Sequence, residues 1–199
     1  MVTRRALAEP REPLMPKAVM AAAAAARDPA RAGSQHRPLA LEQATRYRGA
    51  MTAGAMPAIR AAARSDADAL LELLRALGYD GVDPSAHAQT FRRIVAHPEI
   101  RVLVAENESG RIIGMLALSH RPQLRLGGTL VTVDELVVTA DQRGRGVGRA
   151  LLEGAKAIAR ELGARRLELM TNRSRETYSR GFYTKNGFAE ANSAVMRLK

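Results

Sequence analysis

The sequence predicts an α/β (α+β) domain in the element order βααβββαβαβ, running from about residue 56 to residue 199. Three observations carry that prediction. Leu70, Leu71, Leu73, Leu74 and Leu77 recur at helical spacing. The run from Thr129 to Thr139 is apolar on both faces, as a central strand must be. A glycine-rich turn, Arg143 to Gly148, then joins that strand to an amphipathic helix.

Taken in order, a short strand at Ala58 to Ala62 leads to Ser65 and Asp68, an S-x-x-D capping pattern in front of the leucine helix, which Gly78 stops. Asp83 and Pro84 fit the N-cap and first turn of a second helix. It turns Phe91, Ile94 and Val95 inward and ends before Pro98. Arg101 to Glu106 and Arg111 to Ser119 read as a hairpin closed by the polar turn Asn107 to Gly110. In the central strand, Leu130, Leu136 and Val138 share one face and Val131, Val133 and Val137 the other, if alternation is unbroken. Gly146 to Leu162 is helical, with Leu151, Leu152, Ala155, Ile158 and Ala159 on one side and Gly163 as terminator. Arg166 to Met170 is a strand, Arg175 to Lys185 a helix, and Phe188 to Leu198 a closing strand or pair of strands.

With 199 residues, 46% apolar and 26% charged, the chain suits one globular domain plus an appendage. The absence of cysteine excludes disulfides, thiolate metal sites and an acyl-cysteine intermediate. No long uncharged apolar stretch occurs, so a soluble, cytoplasmic protein without membrane partners is expected. The net charge of +11 is shared: up to Pro57 nine Lys and Arg face four Asp and Glu, and 22 face 16 in the remainder. Residues 1–55 are rich in Ala, Arg and Pro and are expected to be disordered. An organellar presequence fits the Arg excess, but a start placed too early, with Met51 or Met56 as the real beginning, is preferred.

Arg143, Gly144, Arg145, Gly146, Val147 and Gly148 carry the most chemical information. Closely spaced glycines let backbone approach a ligand, and the first amides of a helix lack internal partners, so the turn reads as a phosphate cradle. A Walker loop would need Gly-Lys-Ser/Thr, and a dinucleotide fingerprint a glycine where Arg149 stands; both fail. A plain tight turn accounts for one glycine but hardly for three with interleaved arginines.

These residues resemble the R/Q-x-x-G-x-G/A signature of the GNAT superfamily, and Phe182 to Phe188 (FYTKNGF) resembles its second signature, F-Y-x-x-x-G-F, in the family's order. The resemblance covers about 56–199. It implies a mixed, mostly antiparallel central sheet of six to seven strands with about four helices, and acetyl-coenzyme A as cosubstrate. Pantetheine would lie like an extra strand along Leu136, Val137 and Val138, with pyrophosphate cradled from Arg143 to Gly148 and the arginines, including Arg149, on the outer phosphates. Asn172, with Arg173 and Arg175, is similar to the T-N-x-x-R stretch of some small-molecule members and joins the expected cofactor set.

Two groups are candidates for proton transfer. Glu135 sits among valines on a central strand, so its pKa should rise toward that of a general base for an ammonium. Asp134, expected on the opposite face, is the alternative, and either could instead pair with an arginine. Tyr183 occupies the position from which a family tyrosine protonates the departing thiolate; an aromatic packing role suits Phe182 better. His36, His87, His97 and His120 lack metal-ligand spacing, so no metal is expected.

The expected activity is direct transfer of acetyl to a primary amine of a small molecule in a ternary complex. A protein N-terminal or lysine acetyltransferase and a non-catalytic acyl-coenzyme A sensor are the alternatives. Nucleic-acid binding is disfavoured because aromatics make up 4% of the chain and Trp is absent. A homodimer remains open, and the acceptor is not readable from the sequence.

Overall fold

The computed structural model describes residues 57–198. The expectation of a disordered extension therefore lies outside the described residues. Five strands form one sheet in the order β1 to β5: β1 (Ala58–Ala61), β2 (Ile100–Glu106), β3 (Ile112–Gln123), β4 (Gly128–Val138) and β5 (Arg166–Leu169). The first four are antiparallel neighbours, and β5 joins β4 in parallel. Five helices accompany them: α1 (Ala67–Arg75), α2 (Pro84–Ala96), α3 (Val147–Glu161), α4 (Glu176–Ser179) and α5 (Phe182–Lys185). None is long and apolar enough to cross a membrane.

The two faces of the sheet bury different helices. α3 inserts Val147, Leu151, Leu152, Ala155 and Ile158 against Leu103, Leu116, Leu118, Val131 and Val133. Each fully buried leucine there is worth about 1.5–3 kcal/mol. Gly154 brings α3 close, since a Cβ at that point would meet Leu103 Cδ1 at 2.7 Å. On the other face, Leu70 and Leu73 of α1 and Phe91 of α2 pack on Val102, Val104, Met115 and Val137.

Local chemistry explains most boundaries. Asp83 Oδ1 accepts from Ala86 N at 2.7 Å and caps α2 as expected. Asn107 Oδ1 closes the β2–β3 turn by accepting from the amides of Ser109 and Arg111. The Ser65 cap expected for α1 is not the one used. Asp66 instead accepts from Ala63 N at 2.7 Å while its carboxylate pairs with Arg60, which also grips Glu106.

Three further expectations need correction. The described residues hold five strands rather than six or seven, and five helices rather than four. The helix expected over Arg175 to Lys185 is divided because Gly181 takes a left-handed φ of 63° between α4 and α5. The segment from Phe188 to Leu198 forms no strand: Val195, Met196 and Leu198 are exposed, and polar Glu190, Asn192 and Ser193 precede them.

A fourth correction concerns the faces of β4. Ala117 pairs with Glu135 but Leu118 pairs with Val133, so Asp134 is the extra residue of a β-bulge. Alternation slips by one there. Val131 and Val133 face α3, whereas Val137 faces α1 and α2, and Leu136 and Val138 pack on the α3 side. Glu135 consequently shares a face with Val137 and not with Val131 and Val133.

Candidate active site

The parallel ladder between β4 and β5 ends early. Leu130 to Val133 pair with Arg166 to Leu169, after which β4 runs on to Val138 bonded to β3 alone. The backbone edge from Asp134 to Val138 on the β5 side therefore has no sheet partner. A cleft of about 580 Å³ opens beside it, lined on the strand side by Leu136, Val137 and Val138.

The turn after β4 forms the floor. Arg143, Gly144, Gly146, Gly148 and Arg149 all line the cleft. Gly144 and Gly146 hold φ values of 76° and 85°, the left-handed region where a side chain is strained. Gly148 serves differently: a Cβ there would stand 3.1 Å from Phe182 Cζ. Val147, the first residue of α3, buries its side chain in the core, so its contribution to the cleft is confined to its backbone. Arg145 is exposed and does not line the cleft. Arg143 Nε donates to Val138 O at 3.3 Å, tying the turn back to the strand.

The opposite wall comes from α4 and α5, with Arg175, Arg180, Phe182, Tyr183 and Lys185. Arg180 and Lys185 were not singled out from the sequence, where a basic residue in a short helix carries no distinguishing pattern. With Arg143, Arg149 and Arg175 they surround the cleft with cations, against one acidic residue, Glu176, that pairs with Arg180 at 3.4 Å. Asn172 lies outside the cleft, and its Oδ1 accepts from the amide and hydroxyl of Ser174, each at 2.9 Å. Tyr183 packs edge-on to Phe182 and Phe188, with ring centroids 5.1 and 6.4 Å away. It is thus both a packing residue and a cleft residue.

Glu135 is not in the cleft wall but stands one residue before it, on the sheet face where α1 and α2 pack, with part of its surface still exposed to solvent. Burial pushes its carboxyl pKa up and the neighbouring Asp134 charge pushes it further, while His87 works in the opposite direction. Asp134 is also raised by burial, against a hydrogen bond from Ser119 and the charge of Arg121. Ser119 lies on the α1/α2 face of β3, so Asp134 turns to the same side as Glu135 rather than the opposite one. The bulge puts two carboxylates side by side. His87 Nε2 lies 2.9 Å from Ala67 O, and its ring stacks on Phe91 at 6.1 Å, which ties α2 to α1.

An open strand edge, a glycine-lined helix N-terminus and a ring of cations fit a long ligand with an amide-bearing arm and several phosphates, as coenzyme A has. Comparison with known proteins gives the family. The acetyltransferase (GNAT) family model matches residues 67–188, more than half of the chain. The aminoalkylphosphonate N-acetyltransferase of Salmonella typhimurium strain LT2 is 29% identical over 133 residues, covering 67% of this chain and 85% of its own. An acetyltransferase structure from Trypanosoma brucei superposes with a TM-score of 0.56 at 31% identity, covering 71% of this chain and 97% of its own. A transcriptional regulator from Bacillus halodurans C-125 gives 0.63 at 27% identity, again with 71% of this chain and 97% of its own. The chain belongs to the acetyltransferase (GNAT) family and is an acyltransferase.

Proposed function

We propose that the protein moves an acetyl group from acetyl-coenzyme A directly to the primary amine of a small molecule, both bound at once. The observation that carries this reading is the unpaired edge of β4 running into the glycine turn. An extended amide arm can add to that edge as a strand does, and the turn amides of Gly144 to Gly148 receive the pyrophosphate. Arg143, Arg149, Arg175, Arg180 and Lys185 supply charge for the phosphates. That the aminoalkylphosphonate N-acetyltransferase of Salmonella typhimurium acts on a small amine supports the choice of acceptor class over a protein terminus or lysine.

Acetyl-coenzyme A supplies an activated carbonyl for the amine to attack. Glu135, whose carboxyl pKa is raised above its ordinary value by burial and by the Asp134 charge, takes the ammonium proton directly or through a water. Tyr183 gives a proton to the departing sulfur, a role supported by its position among the residues that line the cleft. The folded unit in this reading is residues 56–199, acting in the cytoplasm without metal. The test is thiol release from acetyl-coenzyme A across a panel of amino acids, aminophosphonates, polyamines, aminoglycosides and peptides. Turnover with a small amine sustains the reading. Coenzyme A binding without turnover would leave the sensor alternative, and peptide turnover alone would move the acceptor class.

A further inference from the structure

The face of the sheet on which α1 and α2 pack carries a graded charge along β3, β4 and β5. Rows across β3, β4 and β5 follow from the register. Nearest the cleft, Ala117 faces Glu135 with Asp134 bulged beside it; next come Ser119, Thr132 and Glu168; then Arg121, Leu130 and Arg166. Leu116 and Leu118 pack toward α3, as do Leu167 and Leu169, so Ser119, Arg121, Arg166 and Glu168 alternate onto the other face, that of Glu135. Three carboxylates therefore lie toward the reacting end and two guanidiniums beyond them.

Several features mark this gradient as a place for a ligand. Among the described residues, no ion pair within 4.0 Å engages Arg121, Arg166 or Glu168. The middle row holds Thr132, 8% exposed, whose Oγ1 is shut from solvent without a hydrogen-bond partner among the described residues. Arg121 is exposed, with its guanidinium free to reach a ligand on this face. The Glu135 and Arg121 rows are four residues apart along β3, roughly 13 Å of backbone.

We propose that this face is the acceptor site and selects a zwitterion. The primary ammonium of the acceptor meets Glu135 and Asp134, and its anionic group, phosphonate or carboxylate, is held by Arg121 and Arg166. A polycation is disfavoured because its second ammonium would meet the two guanidiniums. This inference rests on the acetyl-transfer reading above for its reaction, but not for its binding site.

The experiment compares kcat/KM for 2-aminoethylphosphonate and β-alanine with that for propylamine and spermidine, in the wild type, Arg121→Gln, Arg166→Gln and Arg121→Lys. The wild type is expected to favour an anionic amine over propylamine by tenfold or more. Each Arg→Gln change should reduce that ratio by about tenfold, the scale of a lost charged hydrogen bond, with partial rescue in Arg121→Lys. Phosphonate against carboxylate then ranks the two anions. Preference for spermidine or propylamine, or a ratio unmoved by both Arg→Gln variants, overturns the proposal. Calorimetric titration of 2-aminoethylphosphonate into the protein with coenzyme A separates the two readings. Binding that weakens in Arg121→Gln without turnover of any amine supports the anion site and removes the acetyl-transfer reading, whereas absence of binding overturns the site.

Discussion

The two halves of β4 present different chemistry. From Leu136 onward the strand offers backbone: an unpaired edge, then a turn whose glycines expose amides. Before Leu136 it offers side chains, Asp134 and Glu135 at the bulge and Thr132 beyond, read together with residues of β3 and β5. A backbone site suits a ligand part that never changes, because glycine geometry fixes it whatever surrounds it. A side-chain site suits an acceptor, since each row can be altered without disturbing the ladder. In the proposed reading the same strand combines a fixed grip and an adjustable one, separated by a single bulged residue.

The sharpest break should come from the backbone half. Gly146→Asp forces a side chain into a left-handed position and sets a carboxylate at the helix N-terminus, and Gly148→Glu drives a Cβ against Phe182. Both are expected to abolish measurable acetyl-coenzyme A binding by calorimetry, with circular dichroism confirming the fold. In the side-chain half, Glu135→Gln should lower turnover by roughly two powers of ten and remove the acidic limb of the pH profile. Acetyl-coenzyme A affinity should hold. If Glu135→Gln weakened cofactor binding as much as turnover, the division of β4 into two grips would fail.

Tyr183 sits on the cleft side of that division. Tyr183→Phe keeps the ring's edge contacts with Phe182 and Phe188 and removes the hydroxyl alone. Turnover should fall by roughly one to two powers of ten with the melting temperature unchanged, measured by steady-state kinetics and thermal unfolding. Unaltered turnover would make Tyr183 a packing residue.

What could be read from sequence follows the same division. The glycine turn was legible because positive φ and close approach select one residue type, and Asp83 and Asn107 because caps and turns select a few. The bulge was not legible: it depends on which β3 residue pairs with which β4 residue, and no local pattern at Asp134 announces it. From that single slip the faces of Val137 and Glu135 were misassigned, and Asp134 was placed on the wrong side. The Ser65 cap failed for a related reason: Asp66 is held by Arg60, and Arg60 is itself fixed by Glu106, 46 residues further along the chain. Nor could Gly181 be recognised as a break between two short helices, since an isolated glycine inside a helical pattern is commonly tolerated.

The finest test of the comparison changes Asp134 to Asn. In the folded protein Glu135 is raised first by burial and then by the adjacent Asp134 charge, so ionising Glu135 is costlier while Asp134 is ionised. Removing that charge lowers the cost, and it also releases Arg121, which had been partly neutralised by Asp134. Both effects favour the charged form of Glu135, so the acidic limb of the pH–rate profile should move to lower pH. Stability should respond in the same sense. A carboxyl raised in the folded state binds more protons there than in the unfolded chain, so its ionisation erodes stability as pH rises through the folded value. Asp134→Asn removes one such group and lowers another, so denaturant unfolding should show a smaller loss of stability between acidic and neutral pH than in the wild type. An acidic limb that stays in place would mean that Asp134 and Glu135 do not sense each other and that the bulge does not set the base. A limb moving to higher pH would mean that Asp134 organises Glu135 through hydrogen bonding rather than opposing it through charge.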